Sequence, residues 1–197
     1  MMRLRQTLAF DRQMTSLIER EVAAQSDDIR REKENWVDAL IDYGHEVSFD
    51  RGKTRLARGI TTHDGRMFWL VRREGKKHGY HAAGDDPVEA ADEAELAWKK
   101  RRSVRAEWDF VETLQRDLLT GREKLRVRIE DAHASPLCSM GIEGFMRSIG
   151  MAQVRAVPGR VAALMMKIDP QVGFVIHQAW LRHTGESDSV PGLTATL

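Results

Sequence analysis

The chain has 197 residues, of which 42% are hydrophobic and 31% charged, and a formal net charge of +1. That length allows one or two small domains with a real core, and the composition is that of a globular, charge-rich chain. A total so close to neutral excludes any argument from bulk charge to an acidic partner, so only local charge can inform.

Cys138 is the single cysteine, which excludes a disulfide framework and points to a reducing, cytoplasmic setting. The opening MMRLRQTLAF lacks the apolar core of a signal peptide, and no apolar run approaches the ~20 residues of a membrane span.

Along the chain, Leu4, Leu8, Met14, Leu17, Ile18 and Val22 fall at helical spacing and predict a helix over residues 4–24. Ser26 and Asp27 can cap a second helix through Tyr43. Its apolar stripe would be Trp36, Val37, Leu40 and Ile41, with Gly44 as its stop. The two could equally form one long helix broken near Ser26. The period then changes to two. Val47 and Phe49 alternate with polar residues, and the turn signals DRGK, HDGR and EGKK separate the runs TRLARGITT, MFWLVRR and HGYHA. Such a pattern predicts an antiparallel meander, with Asp-Gly in HDGR as its strongest hairpin cue.

The stretch GDDPVEAADEAELAWKK carries three agreeing helix-start signals. Asp85 or Asp86 can cap, Pro87 sits at the first helical position and Glu89 lies in the first turn. Ala90, Ala94, Ala97 and Trp98 would lie against the sheet. The pattern continues through Val104, Trp108, Val111, Leu114 and Leu118 to a stop at Gly121. In EKLRVRIED, Leu125, Val127 and Ile129 alternate with Arg126 and Arg128, which fits a strand or the basic face of a helix. A helix is expected to begin near Ser135, and two more are expected on either side of Asp169-Pro170. The fold class that follows is α+β. N-terminal helices occupy 1–44, a small antiparallel sheet with a long helix 45–121, a helical part 122–185 and a flexible tail 186–197.

Charge is distributed unevenly over this plan. Arg51 to His81 holds nine Lys or Arg against Asp64 and Glu74, a net of +7, whereas Asp85 to Glu95 carries −6. In the strand RMFWLVRR, Arg66, Phe68, Leu70 and Arg72 share one face, and Met67, Trp69, Val71 and Arg73 the other. One face must meet the Ala-rich helix, which leaves the other to present cations and apolar groups to solvent. Basic side chains interleaved with aromatics suit contacts to phosphates and bases.

Residues 57–98 resemble the DNA-binding domain of plant ethylene-response factors and the related arm-binding domain of some phage integrases. ARGI matches the opening strand, FWLVRRE the central strand, and GKKHGYHAAGDDPVEAADEAELAW the third strand, acidic cap and Glu-Ala-Ala helix. Ala83 and Gly84 stand where that family usually has an aromatic before the cap. The resemblance implies a three-stranded sheet packed on one helix, reading double-stranded DNA with Arg and Trp side chains. Carried over, it implicates Arg58, Arg66, Trp69, Arg72, Arg73 and Lys77.

Other chemistry is weakly marked. His78, His81, His133, His177 and His183 do not show the converging ligand pattern of a zinc site, so neither metal nor cofactor is expected. Cys138 has only His133 as a basic neighbour in sequence, and no nucleophile, phosphate-loop or zinc-protease motif is present. The Met-rich stretch containing Met146, Met151, Met165 and Met166 reads as helical core, or as a surface for a homodimer.

The expectation is a non-enzymatic DNA-binding protein, a regulator or mobile-element accessory. The alternative is a protein-interaction module with an ordinary sheet. Geometry separates them: Arg58, Arg66, Arg72, Arg73 and Lys77 either converge on one exposed face or scatter and pair with Asp85 to Glu95.

Overall fold

The computed structural model describes residues 28–185. The helix predicted over 4–24 and the tail after Gly185 lie outside them. The described chain is α+β. Its strands are β1 (Ile29–Glu34), β2 (Val37–Phe49), β3 (Thr54–Thr61), β4 (Met67–Arg73), β5 (Tyr80–Ala82), β6 (Arg126–Arg128) and β7 (Ala156–Pro158). Its helices are α1 (Pro87–Ala106), α2 (Trp108–Thr120), α3 (Ile129–Ala134), α4 (Ser139–Ser148), α5 (Gly159–Met165) and α6 (Val172–Thr184). Two compact units emerge. One is 28–96 with Cys138–Gly150; the other is Ala97–Leu137 with 151–185. These boundaries differ from those expected from the sequence: β2 runs through residue 44, and α4 belongs with the sheet rather than with the C-terminal helices.

Of the helix predicted from Ser26 to Tyr43, the first two residues lie outside the described residues, and the rest is instead a β-hairpin. Glu34 pairs with Val37, so Asn35 and Trp36 form a two-residue loop, with φ of 47° and 68°. Two positive φ values make the turn whose twist suits a hairpin. Asn tolerates that conformation, but a bulky residue seldom does. Trp36 is held there by an edge contact with Phe145 of α4, ring centroids 5.3 Å apart. The apolar stripe misleads because both strand faces are covered. Val37, Ala39 and Ile41 point one way and Leu40 the other, and all four are buried. A strand buried on both faces loses the polar alternation that identifies it.

The sheet order is β1-β2-β3-β4-β5, every neighbour antiparallel. A bulge between Asp42 and Val47 interrupts the pairing of β2 with β3 and bends β2. Curvature brings the two edges of the sheet together. The Asn35 side-chain amide donates to the Gly79 carbonyl at 2.9 Å, and the Gly79 N–H donates to Glu34 at 2.6 Å. The inner face holds Val37, Ala39, Ile41, Ala57, Phe68 and Leu70, joined by Met140 of α4. Gly59 is required beneath them, since a Cβ there would lie 2.5 Å from the Phe68 ring. Tyr80 and Arg73, on the outer face, reach Glu93 and Glu95 of α1. In this unit Ala90 and Ala94 are buried on α1, small enough to allow close packing.

The start of α1 follows the sequence signals. The Asp86 carboxylate accepts the Val88 N–H at 2.7 Å, ahead of a first turn that contains Pro87 and Glu89. In the second unit α2 ends at Gly121, whose φ is 78°. Val111, Leu114 and Leu118 share its core with Val127, Ala163, Phe174 and Ile176. The ambiguous EKLRVRIED is a strand that passes directly into α3. Ser135 closes α3 rather than capping the next helix: its N–H donates to the Asp131 carbonyl at 3.0 Å and its hydroxyl to that of Ala132 at 2.6 Å. The next helix therefore starts at Ser139. The break at Asp169-Pro170 stands between α5 and α6, where Asp169 accepts the Gln171 N–H at 2.8 Å.

Candidate functional site

Four of the five cations singled out in the sequence are tied to carboxylates. Arg58 lies opposite Trp69 in the β3–β4 register, with its guanidinium 4.2 Å above the indole. It donates to the Gly84 and Asp85 carbonyls, both at 3.2 Å, and to the Asp85 carboxylate at 3.1 Å. The Trp69 indole N–H donates to the same Asp85 carbonyl at 3.1 Å, and only 6% of the residue is exposed. Together they pin the loop that enters α1. Arg66 is held by Asp64 at 2.8 Å and by Glu143 of α4; the Glu143 hydrogen bond is the main reason its pKa is raised.

Arg72 points to the inner face. It bonds Glu32, Glu34 at 3.1 Å and the Tyr43 hydroxyl at 2.8 Å. Burial raises the pKa of Glu32, but the hydrogen bonds from Tyr43 and Arg72 outweigh it and leave the carboxyl below its ordinary value. Burial and the Glu32 hydrogen bond push the Tyr43 phenol up to about 12. Arg73 points to the outer face and pairs with Glu95. Lys77 sits exposed in the turn between β4 and β5.

The six residues therefore do not share a face. The expectation that the second sheet face meets solvent is corrected: Phe68 and Leu70 are fully buried there, because the sheet curls and α4 covers it. Arg58 and Arg73 pair with Asp85 and Glu95, the arrangement that marks an ordinary sheet face.

A different set of cations stands together. Thr54 opposes Arg73, so the β2–β3 and β4–β5 turns lie side by side at one end of the sheet, joined by the Glu74 N–H donating to the Lys53 carbonyl at 2.8 Å. This end carries Arg51, Lys53, Arg55, Lys76 and Lys77. Lys76 is half-buried and the other four are exposed. Among the described residues none of the five forms an ion pair. Asp50 and Glu74 are the acids beside them, which leaves a local excess of three positive charges. Arg51 has a φ of 58° within the short 3-10 turn Asp50–Gly52, so the turn is sharply folded. Arg58, Arg66, Arg72 and Arg73, on or beside β3 and β4, are paired with carboxylates, whereas Arg51, Lys53, Lys76 and Lys77 lie in the turns and Arg55 at the start of β3.

The fold also pairs Cys138 with a partner the sequence does not suggest. Its Sγ lies 3.4 Å from His81 Nδ1, not beside His133, and both residues are 4% exposed. His81 in turn meets Phe68 edge-on at 5.2 Å. Burial on all sides makes this a core contact, closed to a substrate. Among the described residues no three His, Cys, Asp or Glu side chains gather as a metal site, and no helix is long and apolar enough to cross a membrane. Comparisons with protein-family models, curated proteins and solved structures find no match to the chain.

Proposed function

We propose that the chain is a non-enzymatic DNA-binding protein, a regulator or mobile-element accessory, that contacts phosphates through the basic end of its five-stranded sheet. The observation that carries this reading is the gathering of Arg51, Lys53, Lys76 and Lys77 on two adjacent turns, with Arg55 at the start of β3 beside them, without ion pairs among the described residues. Unpaired surface cations release counterions when they meet a phosphate backbone, so binding should weaken by about 0.9 logarithmic units per decade of salt for each contact. Arg58, Arg66, Arg72 and Arg73 then serve the fold, and Trp69 is a packing residue.

A fluorescence-anisotropy titration against random duplex DNA at two salt concentrations tests this. The combined variant Lys53→Gln, Arg55→Gln, Lys76→Gln, Lys77→Gln should lose affinity and show a flatter salt slope. Arg58→Gln with Arg73→Gln should keep the slope and lose stability. The opposite ranking would return DNA contact to the strand face, and no binding by the wild type at low salt would end the DNA reading.

The competing reading is a protein-interaction module. The Arg58–Asp85 and Arg73–Glu95 pairs favour it, because they withdraw the sheet face, and the second unit exposes Phe110, Leu164 and Ile168.

A further inference from the structure

The second unit holds its own group of unpaired cations, on the two-stranded ribbon of β6 and β7. Val127 pairs with Val157 at its centre, and both point inward and are buried. The chain enters and leaves the ribbon with two-fold regularity. The Ile129 N–H donates to the Arg155 carbonyl at 2.9 Å, and the Gly159 N–H to the Leu125 carbonyl at 2.8 Å. Alternation then turns Arg126 and Arg128 outward, about 7 Å apart along the strand. Opposite them stand Pro158 and Ala156, too small to screen a guanidinium. Lys124, Arg155 and Arg160 flank the ribbon, and all five cations are exposed.

Among the described residues none of the five has an ion pair. Other cations of the same unit do: Arg122 pairs with Asp117 at 2.8 Å and Arg182 with Asp131 at 2.6 Å. Asp131 is 2% exposed and fixes the ribbon from behind. Its carboxylate accepts the Arg128 N–H at 2.7 Å, while Arg182 also donates to the Arg126 carbonyl at 2.7 Å. The two outward arginines are therefore mounted on a backbone braced by the buried Asp131 and its half-buried partner Arg182. A preformed surface loses little conformational entropy on binding.

We infer that this ribbon is a second phosphate-contacting surface for duplex nucleic acid. Guanidinium groups match phosphate oxygens with paired hydrogen bonds. Strands of three residues offer little reach into a groove, so the contact is to the backbone and independent of base sequence. The inference rests on the DNA-binding reading above, but on different residues.

The test compares the full chain with three variants on one random duplex across a salt series, with thermal melting as a check on folding. The variants are Arg126→Gln with Arg128→Gln, the four-residue sheet-end variant above, and Lys99→Gln with Lys100→Gln as a control for net charge. The ribbon variant should melt like the wild type and bind more weakly. Its salt slope should fall by about 0.9 for each phosphate that the variant no longer neutralises, and by more than the control's. A ribbon variant indistinguishable from the control would overturn the inference and leave the sheet-end reading intact. Weaker binding by the ribbon variant alone would support the inference and remove the sheet end. Absence of wild-type binding at low salt would overturn both.

Discussion

Arg72, Glu32, Glu34 and Tyr43 form a connected polar group on the sheet, and its protonation chemistry can be measured. The Tyr43 phenol is raised from 10.0 to about 12 by burial and by its bond to Glu32. A raised folded pKa gives stability that is fully present below the unfolded value and is lost as pH climbs through the folded one. The chain has two tyrosines, so an alkaline absorbance titration should show a late phase near 12 that Tyr43→Phe removes. Glu32 acts in the opposite sense. Its lowered pKa gives stability present above the ordinary carboxylate value and lost as pH falls through the folded one. Glu32→Gln should flatten the acid limb of a stability-against-pH curve; an unchanged limb would show that the Arg72 contact contributes nothing in solution. None of this network is legible in the sequence, where helical spacing places Glu32 and Tyr43 on a helix.

At the scale of elements, the β1–β2 hairpin and α4 fit together through glycine. A Cβ on Gly144 would fall well inside contact distance of the Trp36 backbone carbonyl, and one on Gly141 would lie 3.2 Å from the Asn35 carbonyl. Replacing glycine inside a helix ordinarily gains about 1 kcal/mol. Here the clash is with backbone, which cannot rotate away, and such overpacking costs about 1–3 kcal/mol. Gly144→Ala should therefore destabilise the protein in urea unfolding, and a stabilised variant would show that α4 does not seat on the turn. The turn itself explains the largest departure of the structure from the sequence expectation. Asn35 is a good hairpin residue, but Trp36 occupies the place where glycine would have announced the turn. The start of α1 and the stop of α2 at Gly121 are legible, because caps and positive-φ glycines are local signals.

Over the whole molecule, the chain leaves the first unit within α1 and returns to it for residues 138–150. That return supplies Met140 to the inner face and Glu143 to Arg66. A fragment ending at residue 96 would leave Phe68, Leu70 and Ile41 without this cover. Residues 28–96 alone should lack a cooperative unfolding transition, and residues 138–150 joined through a flexible linker should restore it. Cooperative unfolding of the short fragment would mean that the curled sheet is sufficient by itself.

The amino-acid sequence determined the α+β class, the meander from β3 to β5, the capped start of α1, and the concentration of positive charge between Arg51 and His81. Each of these depends on residues close together in the chain: alternation, turn chemistry, caps and local composition. Tertiary structure alone decided which cations meet solvent. Arg58, Arg66, Arg72 and Arg73 are bound by Asp85, Glu143, Glu32 with Glu34, and Glu95. Three of these four partnerships join residues more than twenty-five positions apart. Arg51, Lys53, Lys76 and Lys77 remain outward because their turns lie at the end of a sheet whose two faces are covered, and Arg55 is exposed at the same end, where β3 begins. Side-chain charge is a property of the residue, but its availability to a partner depends on what the fold places beside it.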